Sequence, residues 1–258
     1  MLKTAVLGAG RMGGELITAL GSSDDMELSA VWVRRSGRFD PALLPATATV
    51  SDDIDAVIAG AGVAIDFSLA EATAEVLAAV VTAGVPLVCG VTGLGHRETK
   101  QMRAAANSIP LLYDRNMSLG IAVLKELIAR AGPLLRPGFV AGIHETHHVH
   151  KKDAPSGTAI ALGEALAKSL GREFEDVYRF ETSGEQRRSP EDIVVTASRR
   201  GEVPGEHTVL FQSDAESLEL THKVSDRRVF AEGSLRAARW LVDQKPGLYH
   251  MNDVLRGA

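Results

Sequence analysis

The chain has 258 residues, of which 45% are hydrophobic and 24% charged, and its formal net charge is −5. This apolar content excludes a disordered protein, and the slight acidic excess leaves no basic footprint for a nucleic-acid partner. One cysteine, Cys89, excludes a disulfide framework and a metal site made only of cysteines. No apolar run reaches the roughly 18 residues of a membrane span, and the N-terminus lacks a signal-peptide pattern. We therefore expect a cytoplasmic protein with no membrane partner.

The first half of the chain alternates short apolar segments with helical patterns. The predicted strands are residues 4–7, 28–33, 63–67, 86–91 and 109–113, and the predicted helices are 12–20, 70–83 and 97–107. Gly84 follows the second of these helices and is expected to end it. Strands that alternate with helices of about 10–15 residues indicate βαβ units in a parallel sheet, with helices on both of its faces.

The second half of the chain has a different order of predicted strands and helices. The predicted strands are residues 139–147, 193–198, 208–212 and 218–223, and the predicted helices are 120–131, 156–170 and 230–243. Consecutive strands without helices between them indicate a mixed or antiparallel sheet and hence a second domain. The predicted fold class is therefore α/β, with a Rossmann-type doubly wound parallel sheet plus an α+β domain.

A glycine motif of the form G-x-G-x-x-G follows the first strand directly and opens the first helix. Its residues are Gly8, Ala9, Gly10, Arg11, Met12 and Gly13. In such a motif the glycines permit a tight turn, close approach of the backbone to a pyrophosphate, and close packing of helix on strand. The helix N-terminus adds free amides and a partial positive charge. The motif predicts dinucleotide binding, and the alternative is a glycine-rich turn that binds nothing.

The residue after the second strand bears on cofactor choice. NAD enzymes often carry an acidic residue there, whereas an arginine favours the 2′-phosphate of NADP. This strand is followed by Arg34 and Arg35, with no acid. A planar guanidinium at Arg34 can pair with a phosphate dianion, so we predict a preference for NADPH. The alternative is a pair of solvated surface arginines.

Four of the eight histidines lie within residues 144–150, and His144 and His148 complete an H-E-x-x-H pattern. In zinc proteases this pattern requires a helix that places the two histidines one turn apart. The β-branched composition of this segment favours a strand, on which positions four apart are separated by about 13 Å. We therefore reject a zinc protease and predict no metal site.

A strong helix-start signal follows the histidines. Ser156 is the predicted N-cap, and the amides of Gly157 and Thr158 form a small anion site. The titratable groups that precede it are His147, His148 and Lys151. Together these groups predict a pocket for a small carboxylate-bearing molecule, with proton donors beside it. The alternative is a solvated loop whose histidines face water.

At this segment the chain resembles a known family. Residues 145–159 fit the pattern E-x-H-H-x-x-K-x-D-A-P-S-G-T-A, which is similar to the signature of the bacterial 4-hydroxy-tetrahydrodipicolinate reductases. Other similar segments follow in family order: 8–13, 65–68, 90–93, 116–120, 205–208 and 221–223. The resemblance covers essentially the whole chain.

The resemblance implies a division of labour between two domains. Residues 1–117 with 228–258 would bind the dinucleotide, and residues 118–227 would bind substrate and build a homotetramer. The implied reaction is the NAD(P)H-dependent reduction of 4-hydroxy-tetrahydrodipicolinate to tetrahydrodipicolinate with loss of water. In this family the reaction belongs to cytoplasmic lysine synthesis through diaminopimelate.

The resemblance also implies roles for individual residues. His147 would be the proton donor or acceptor and Lys151 a second proton donor, while His148, Gly157 and Thr158 would contact the substrate carboxylates. The implied cofactor contacts are Gly8 to Gly13, Arg34, Gly90, Val91, Thr92, Asp114, Arg115, Asn116 and Met117. The implied cofactor is NADPH, with NADH also accepted.

The chain departs from the family pattern in its compact glycine loop, which lacks a residue that some members carry, and at two further places. Tyr113, Asp114 and Arg115 stand where small apolar residues are usual, and Val33 replaces an acid that some members carry. Two alternatives stay open. Another Rossmann reductase of amino-acid metabolism would share the glycine motif, but its reaction would not require the histidine signature. An NADPH-sensing regulator would bind cofactor without turnover.

Overall fold

The computed structural model of the protein describes residues 1–34, 44–45, 48–136, 138–181, 189 and 191–257. Arg35 lies outside the described residues. The chain divides into two compact units, one of Met1–Leu119 with Arg227–Ala258 and one of Gly120–Asp226. Over the ranges just given, no helix has both the length and the apolar character needed to cross a membrane.

The elements follow one another in three parts. The first part contains β1 (Leu2–Leu7), α1 (Arg11–Gly21), β2 (Met26–Trp32), β3 (Thr49–Ser51), α2 (Ile54–Ile58), β4 (Val63–Asp66), α3 (Thr73–Ala83), β5 (Leu87–Cys89), α4 (His96–Ala105) and β6 (Pro110–Tyr113). The middle part contains α5 (Leu119–Leu135), β7 (Val140–His147), α6 (Gly157–Ser169), α7 (Phe174–Val177), β8 (Tyr178–Glu181), β9 (Ile193–Arg199), β10 (Gly205–Gln212) and β11 (Ser217–Val224). The last part contains α8 (Arg228–Leu241), β12 (Gly247–Tyr249) and α9 (Met251–Arg256).

In the first unit, the strands form a parallel sheet in the order β12-β6-β5-β4-β1-β2-β3. The strand order reverses between β1 and β4, which is the switch point at which open α/β sheets bind ligands. The central strands are fully buried; Ala5, Val6 and Leu7 of β1 have no exposed surface. The predicted Rossmann-type parallel sheet is confirmed.

The first unit also contains short elements that the sequence pattern did not predict. They are β3, α2, β12 and α9, each of three to six residues. Segments this short carry too few residues to show a period, and β12 is held by pairing with β6. The helix predicted over residues 70–83 begins as a 3₁₀ turn at Ala70–Ala72 and continues as α3. Gly84 ends it in the left-handed conformation, with φ 68°, as predicted.

In the second unit, the sheet has the order β11-β10-β7-β9-β8. Its β10 runs antiparallel to β7 and β11, whereas β7, β9 and β8 are parallel, so the predicted mixed sheet is confirmed. One face packs against α5 and α6 in a core that includes Ile128, Leu162 and Phe211. Side chains alternate along β7, so Ile143, Glu145 and His147 share the buried face while His144 is exposed. The missed elements α7 and β8 have four residues each.

Candidate active site

The glycine motif forms the turn between β1 and α1, with Gly8 at φ 96° and its amide donating to the Trp32 carbonyl at 3.0 Å. A Cβ at Gly8 would lie 2.9 Å from the Phe67 carbonyl oxygen, and one at Gly13 would collide with the carbonyl of Gly8. At Gly10, by contrast, nothing lies within 4 Å of the Cβ position. The turn therefore has crowded glycines where the chain packs on itself and an open glycine where a ligand can approach.

The first turn of α1 provides the groups that bind an anion. Gly10 is the N-cap and has no side chain with which to cap the helix, while Arg11 is exposed beside it. The first amides of a helix have no carbonyl partner within the helix, and they point towards an anion at its N-terminus. Backbone amides, open space at Gly10 and a nearby guanidinium fit the pyrophosphate of a dinucleotide.

The other predicted cofactor residues follow the ends of neighbouring strands of the same sheet. Arg34 is exposed shortly after β2. Gly90 follows β5, where its amide donates to the Asp66 carbonyl at 2.9 Å and a Cβ would overlap the Phe67 ring. Val91 is buried and Thr92 is exposed. Because carboxyl ends of parallel strands lie at one edge, the structure brings these segments together at the edge that carries the glycine turn.

The segment after β6 explains one departure from the family pattern. Asp114 is buried, and its carboxylate accepts a hydrogen bond from the Met251 amide at 3.4 Å, at the start of α9. This contact gives Asp114 a structural task in holding the last helix. Arg115 and Asn116 are half-buried, and Met117 is buried with its carbonyl against Gly233. Cofactor contact by these four residues stays a prediction.

A buried acid at the same edge was not singled out from the sequence. Asp66 is 1% exposed at the end of β4, and its carboxylate accepts the Ser68 amide at 2.8 Å. The Cys89 thiol lies 3.9 Å from its other oxygen. Burial raises the pKa of Asp66 to about 6, against the hydrogen bonds from Ser68 that lower it. Burial likewise raises the pKa of the Cys89 thiol.

In the second unit, the H-E-x-x-H pattern lies on β7 and the turn after it. The rejection of a zinc-protease helix is therefore confirmed, because β7 extends through His147. His144 is on the exposed face, where its Nδ1 lies 2.8 Å from the Thr196 hydroxyl. Glu145 and His147 are on the opposite, buried face.

The carboxylate of Glu145 is at the centre of this buried group and has no exposed surface. The Ser156 amide donates to both of its oxygens, at 3.1 and 3.2 Å. Nδ1 of His147 and Nε2 of His207 each lie 3.6 Å from its Oε2. Arg199 approaches its other oxygen at 3.7 Å. Three side chains and one amide, from three strands and a helix start, thus meet at one carboxylate.

The Glu145 carboxyl and the His147 imidazole both have lowered pKa values, but for different reasons. Burial alone raises the pKa of Glu145, but the hydrogen bonds from His207 and Ser156 outweigh it and lower the pKa to about 2. Burial lowers the pKa of His147 to about 4, and the neighbouring charge of His207 acts in the same direction. Near neutral pH, the carboxylate is therefore ionised and the imidazole of His147 is neutral.

Residues 148–156 connect this group to α6. The Lys151 ammonium lies 2.7 Å from the Asp153 carboxylate, and Arg199 donates to the carbonyls of Lys151 and Asp153 at 3.1 and 2.6 Å. His148 is half-buried at the start of this connection. Ser156 is the N-cap of α6, as predicted, because its hydroxyl accepts the Ala159 amide at 3.1 Å. Gly157 and Thr158 form the first turn, where the predicted anion site lies.

Glu145, His147 and His207 could also be metal ligands, since one ligand atom from each lies within 4.8 Å of the others. Two histidines and a carboxylate are a known zinc set. However, the guanidinium of Arg199 would repel a cation beside the same carboxylate. The Ser156 amide also already donates to both of its oxygens. These residues are therefore better described as an ionised carboxylate with its hydrogen-bond partners than as a metal centre.

Sequence reasoning placed His147, His148, Lys151 and the start of α6 together, but it missed the parts beneath them. The sequence pattern assigned no role to His207, Glu145 or Arg199. A signal was present, because Glu145 begins the signature and His207 lies in the similar segment 205–208. What the sequence did not show was that these residues face one another across β7, β9 and β10.

Comparison with known proteins identifies the family of this chain. Residues 2–117 match the family model for the N-terminus of dihydrodipicolinate reductase, and residues 120–255 match the model for its C-terminus. The chain is 40% identical to the 4-hydroxy-tetrahydrodipicolinate reductase of Sulfurimonas denitrificans over 99% of both chains. It is 43% identical to that of Nitratiruptor sp. over 96% of both.

Solved structures show the same fold. The dipicolinate-bound dihydrodipicolinate reductase of Paenisporosarcina sp. TG-14 superposes with a TM-score of 0.75 at 18% identity, covering 97% of each chain. A scyllo-inositol dehydrogenase of Lactobacillus casei superposes with a TM-score of 0.63 at 12% identity. The family models cover almost the whole chain in order, and full-length relatives are about 40% identical. The chain therefore belongs to the dihydrodipicolinate reductase family.

Proposed function

We propose that this protein reduces 4-hydroxy-tetrahydrodipicolinate to tetrahydrodipicolinate, with loss of water, at the expense of NADPH. The observation that carries this proposal is the group formed by His147, Lys151 and the first turn of α6. It offers an imidazole, an ammonium and helix amides within one short segment of the second unit. Such groups suit a small ring that carries two carboxylates.

The residues of this group act on charge and protons. Loss of the 4-hydroxyl as water leaves a conjugated C=C–C=N system in the ring. Hydride addition to that system builds negative charge on the ring, which a proton must neutralise. We assign proton transfer to His147 and Lys151, and carboxylate binding to His148 and the amides of Gly157 and Thr158. Two bound carboxylates raise the pKa of the neutral His147 imidazole, because nearby negative charge favours its protonated form.

A nicotinamide cofactor supplies the hydride when it is bound. The glycine turn of the first unit fits its pyrophosphate, through the open Gly10 position and the amides that begin α1. We assign the choice of NADPH over NADH to Arg34, whose exposed guanidinium follows β2 with no acid beside it in the chain. NADH lacks the 2′-phosphate and therefore binds more weakly. It is still accepted, because the other cofactor contacts do not depend on that phosphate.

The two units divide the work in this proposal. The first unit, residues 1–117 with 228–258, binds the cofactor. Residues 118–227 bind the substrate and form a homotetramer. The enzyme acts in the cytoplasm, in lysine synthesis through diaminopimelate. The sheet of the second unit supports the assembly. Its face opposite α5 and α6 carries Val140, which is 42% exposed, with Gly142, Val194 and Leu210 around a groove of about 260 Å³. Light scattering of the purified protein tests the tetramer.

An absorbance assay tests the activity. The purified protein is supplied with the product of the synthase that makes the hydroxy-dicarboxylate, and oxidation of NADPH and of NADH is followed at the nicotinamide band. We expect steady turnover, faster with NADPH at low cofactor concentration. Binding of NADPH without turnover would favour a cofactor sensor instead, and no binding of either cofactor would contradict the proposal for the first unit.

A further inference from the structure

Glu145 is a buried acid for which the proposed reaction provides no direct task. Its side chain has no exposed surface, so it cannot touch a substrate that reaches the site from solvent. Burying an ionised carboxylate is costly unless several hydrogen bonds or charges compensate it. The cluster around Glu145 supplies that compensation from Ser156, His147, His207 and Arg199.

The register of the sheet explains why these groups meet. Glu145 on β7 pairs with His207 on β10, and His147 pairs with Arg199 on β9. Residues two apart on a strand face the same side, so Glu145 and His147 are neighbours on the face against which α6 packs. Three strands therefore converge beneath the start of α6.

Ser156 links the carboxylate to that helix start. Its amide donates to Glu145, its hydroxyl lies 3.2 Å from Nε2 of His207, and the same hydroxyl caps α6 by accepting the Ala159 amide. The orientation of the first turn of α6 is thus tied to the carboxylate through one residue. The imidazole of His147 faces the same carboxylate, with Nδ1 3.6 Å from Oε2.

We propose that Glu145 is a positioning residue that holds the proton-transferring imidazole of His147 and the anion-binding start of α6 in a fixed mutual orientation. This inference rests on the proposed function, since it assigns Glu145 a part in that same site. It predicts that loss of the carboxylate affects the proton-transfer step more than it affects folding.

The distance between Glu145 and His147 fits such a role. Nδ1 of His147 is buried and has no hydrogen-bond partner within the described part of the chain, and it lies 3.6 Å from the carboxylate. A shift of about half an ångström would make a hydrogen bond of ordinary length. Catalytic hydrogen bonds are often long before substrate binds and then tighten. When the imidazole gains a proton, that bond becomes charge-assisted and fixes the ring through Nδ1.

The first experiment compares Glu145→Gln with Glu216→Gln. Glutamine has the same shape and can still accept the Ser156 amide, but it cannot stabilise a protonated imidazole by charge. Glu216 is an exposed acid in the turn between β10 and β11 and controls for loss of a carboxylate in this unit. We expect Glu145→Gln to lower kcat roughly 10- to 100-fold, part of the ~10²–10⁴-fold that a positioned general acid contributes. KM should change little, and Glu216→Gln should match the parent.

The second experiment measures His147 itself, by NMR titration of the histidine rings with and without pyridine-2,6-dicarboxylate. The groups that face His147 are Glu145, His207 on β10, Arg199 on β9 and Lys151 in the connecting segment. In Glu145→Gln, the pKa of His147 should be lower than in the parent, both with and without the dicarboxylate. The increase in the pKa of His147 when the dicarboxylate binds should also be smaller. This readout needs no turnover, so it judges the inference even if the proposed activity fails.

Three outcomes would overturn the inference. One is a Glu145→Gln protein with parental kcat, and another is an unchanged His147 titration. The third is a partly folded Glu145→Gln protein whose loss of activity disappears when kcat is calculated per folded molecule. If Glu145→Gln does not fold, Glu145→Asp replaces it, because it keeps the charge while withdrawing the carboxylate from both imidazoles and Ser156. A folded Glu145→Asp protein with reduced kcat supports the inference, and one with parental kcat contradicts it. Its KM can also rise, because withdrawal of the carboxylate from Ser156 releases the anion-binding start of α6.

Discussion

Gly13 packs against the carbonyl oxygen of Gly8 so closely that no side chain fits between them. Gly13 lies in the first turn of α1, and Gly8 begins the turn that follows β1. Because the contact is between backbone atoms, the helix cannot give way without moving the whole glycine turn. The pair therefore sets the distance from α1 to the sheet.

We expect Gly13→Ala to abolish cofactor binding and to lower the melting temperature, because the new Cβ would push α1 away from the turn. The matched control is Gly14→Ala, one position along the same helix, where nothing lies within 4 Å of the Cβ position. Replacing that exposed glycine should stabilise the helix by about 1 kcal/mol. Thermal unfolding and NADPH fluorescence titration measure both variants, and equal behaviour of the two would refute the packing argument.

Lys151→Ala should lower kcat by roughly 10²–10⁴-fold if the ammonium delivers a proton to the ring. The control is Lys152→Ala, whose side chain is exposed and lies one residue further along the same segment. Steady-state kinetics with saturating NADPH distinguish the two. A Lys151→Ala enzyme that turns over at the parental rate would remove Lys151 from the proposed mechanism.

Arg34→Ala should raise the KM for NADPH far more than the KM for NADH, because only NADPH carries the 2′-phosphate that the guanidinium would pair with. Arg103→Ala, on the exposed side of α4, controls for the loss of one positive charge from this unit. The two KM values are measured for parent and variants under the same salt, since screening weakens such pairs. Equal effects on both cofactors would contradict the assignment of Arg34.

Asp66→Asn should stabilise the protein above pH 6. The folded-state pKa of Asp66 is raised from 3.8 to about 6 by burial, so between these values the folded state binds more protons than the unfolded state. Stability therefore rises as pH falls through this window, and at pH 8 the buried charge costs up to about 3 kcal/mol. Asparagine removes that cost and can still accept the Ser68 amide.

Melting temperatures at pH 8 and pH 5 test this prediction, with Asp243→Asn as the control at an exposed acid. The advantage of Asp66→Asn should be several degrees at pH 8, at ~2–4 °C for each kcal/mol, and should shrink at pH 5. If Asp66→Asn is less stable than the parent at pH 8, the prediction is wrong. The hydrogen bond between the ionised carboxylate and Ser68 would then stabilise the protein by more than the burial of the charge destabilises it.

The sequence by itself was enough for the features that arise from neighbouring residues. The period of apolar residues predicted the long helices and buried strands, and Gly84 and Ser156 correctly marked one helix end and one helix start. The glycine turn could be predicted because its demands arise within residues 8–13, from the positive φ of Gly8 and the contact of Gly13 with the Gly8 carbonyl. The signature from Glu145 to Ala159 indicated the family for the same reason, since its chemistry lies in one continuous segment.

Only the tertiary structure showed which residues surround Glu145. Strand register decides which side chains face one another, and it depends on packing across the sheet. Thus His207, 62 positions along the chain, is opposite Glu145, and Arg199 is beside His147. The short strands β3 and β12 likewise exist because a neighbouring strand offers them hydrogen bonds. Burial, too, is a property of the fold, and it lowers the pKa of His147 and raises that of Asp66, neither of which follows from residue type alone.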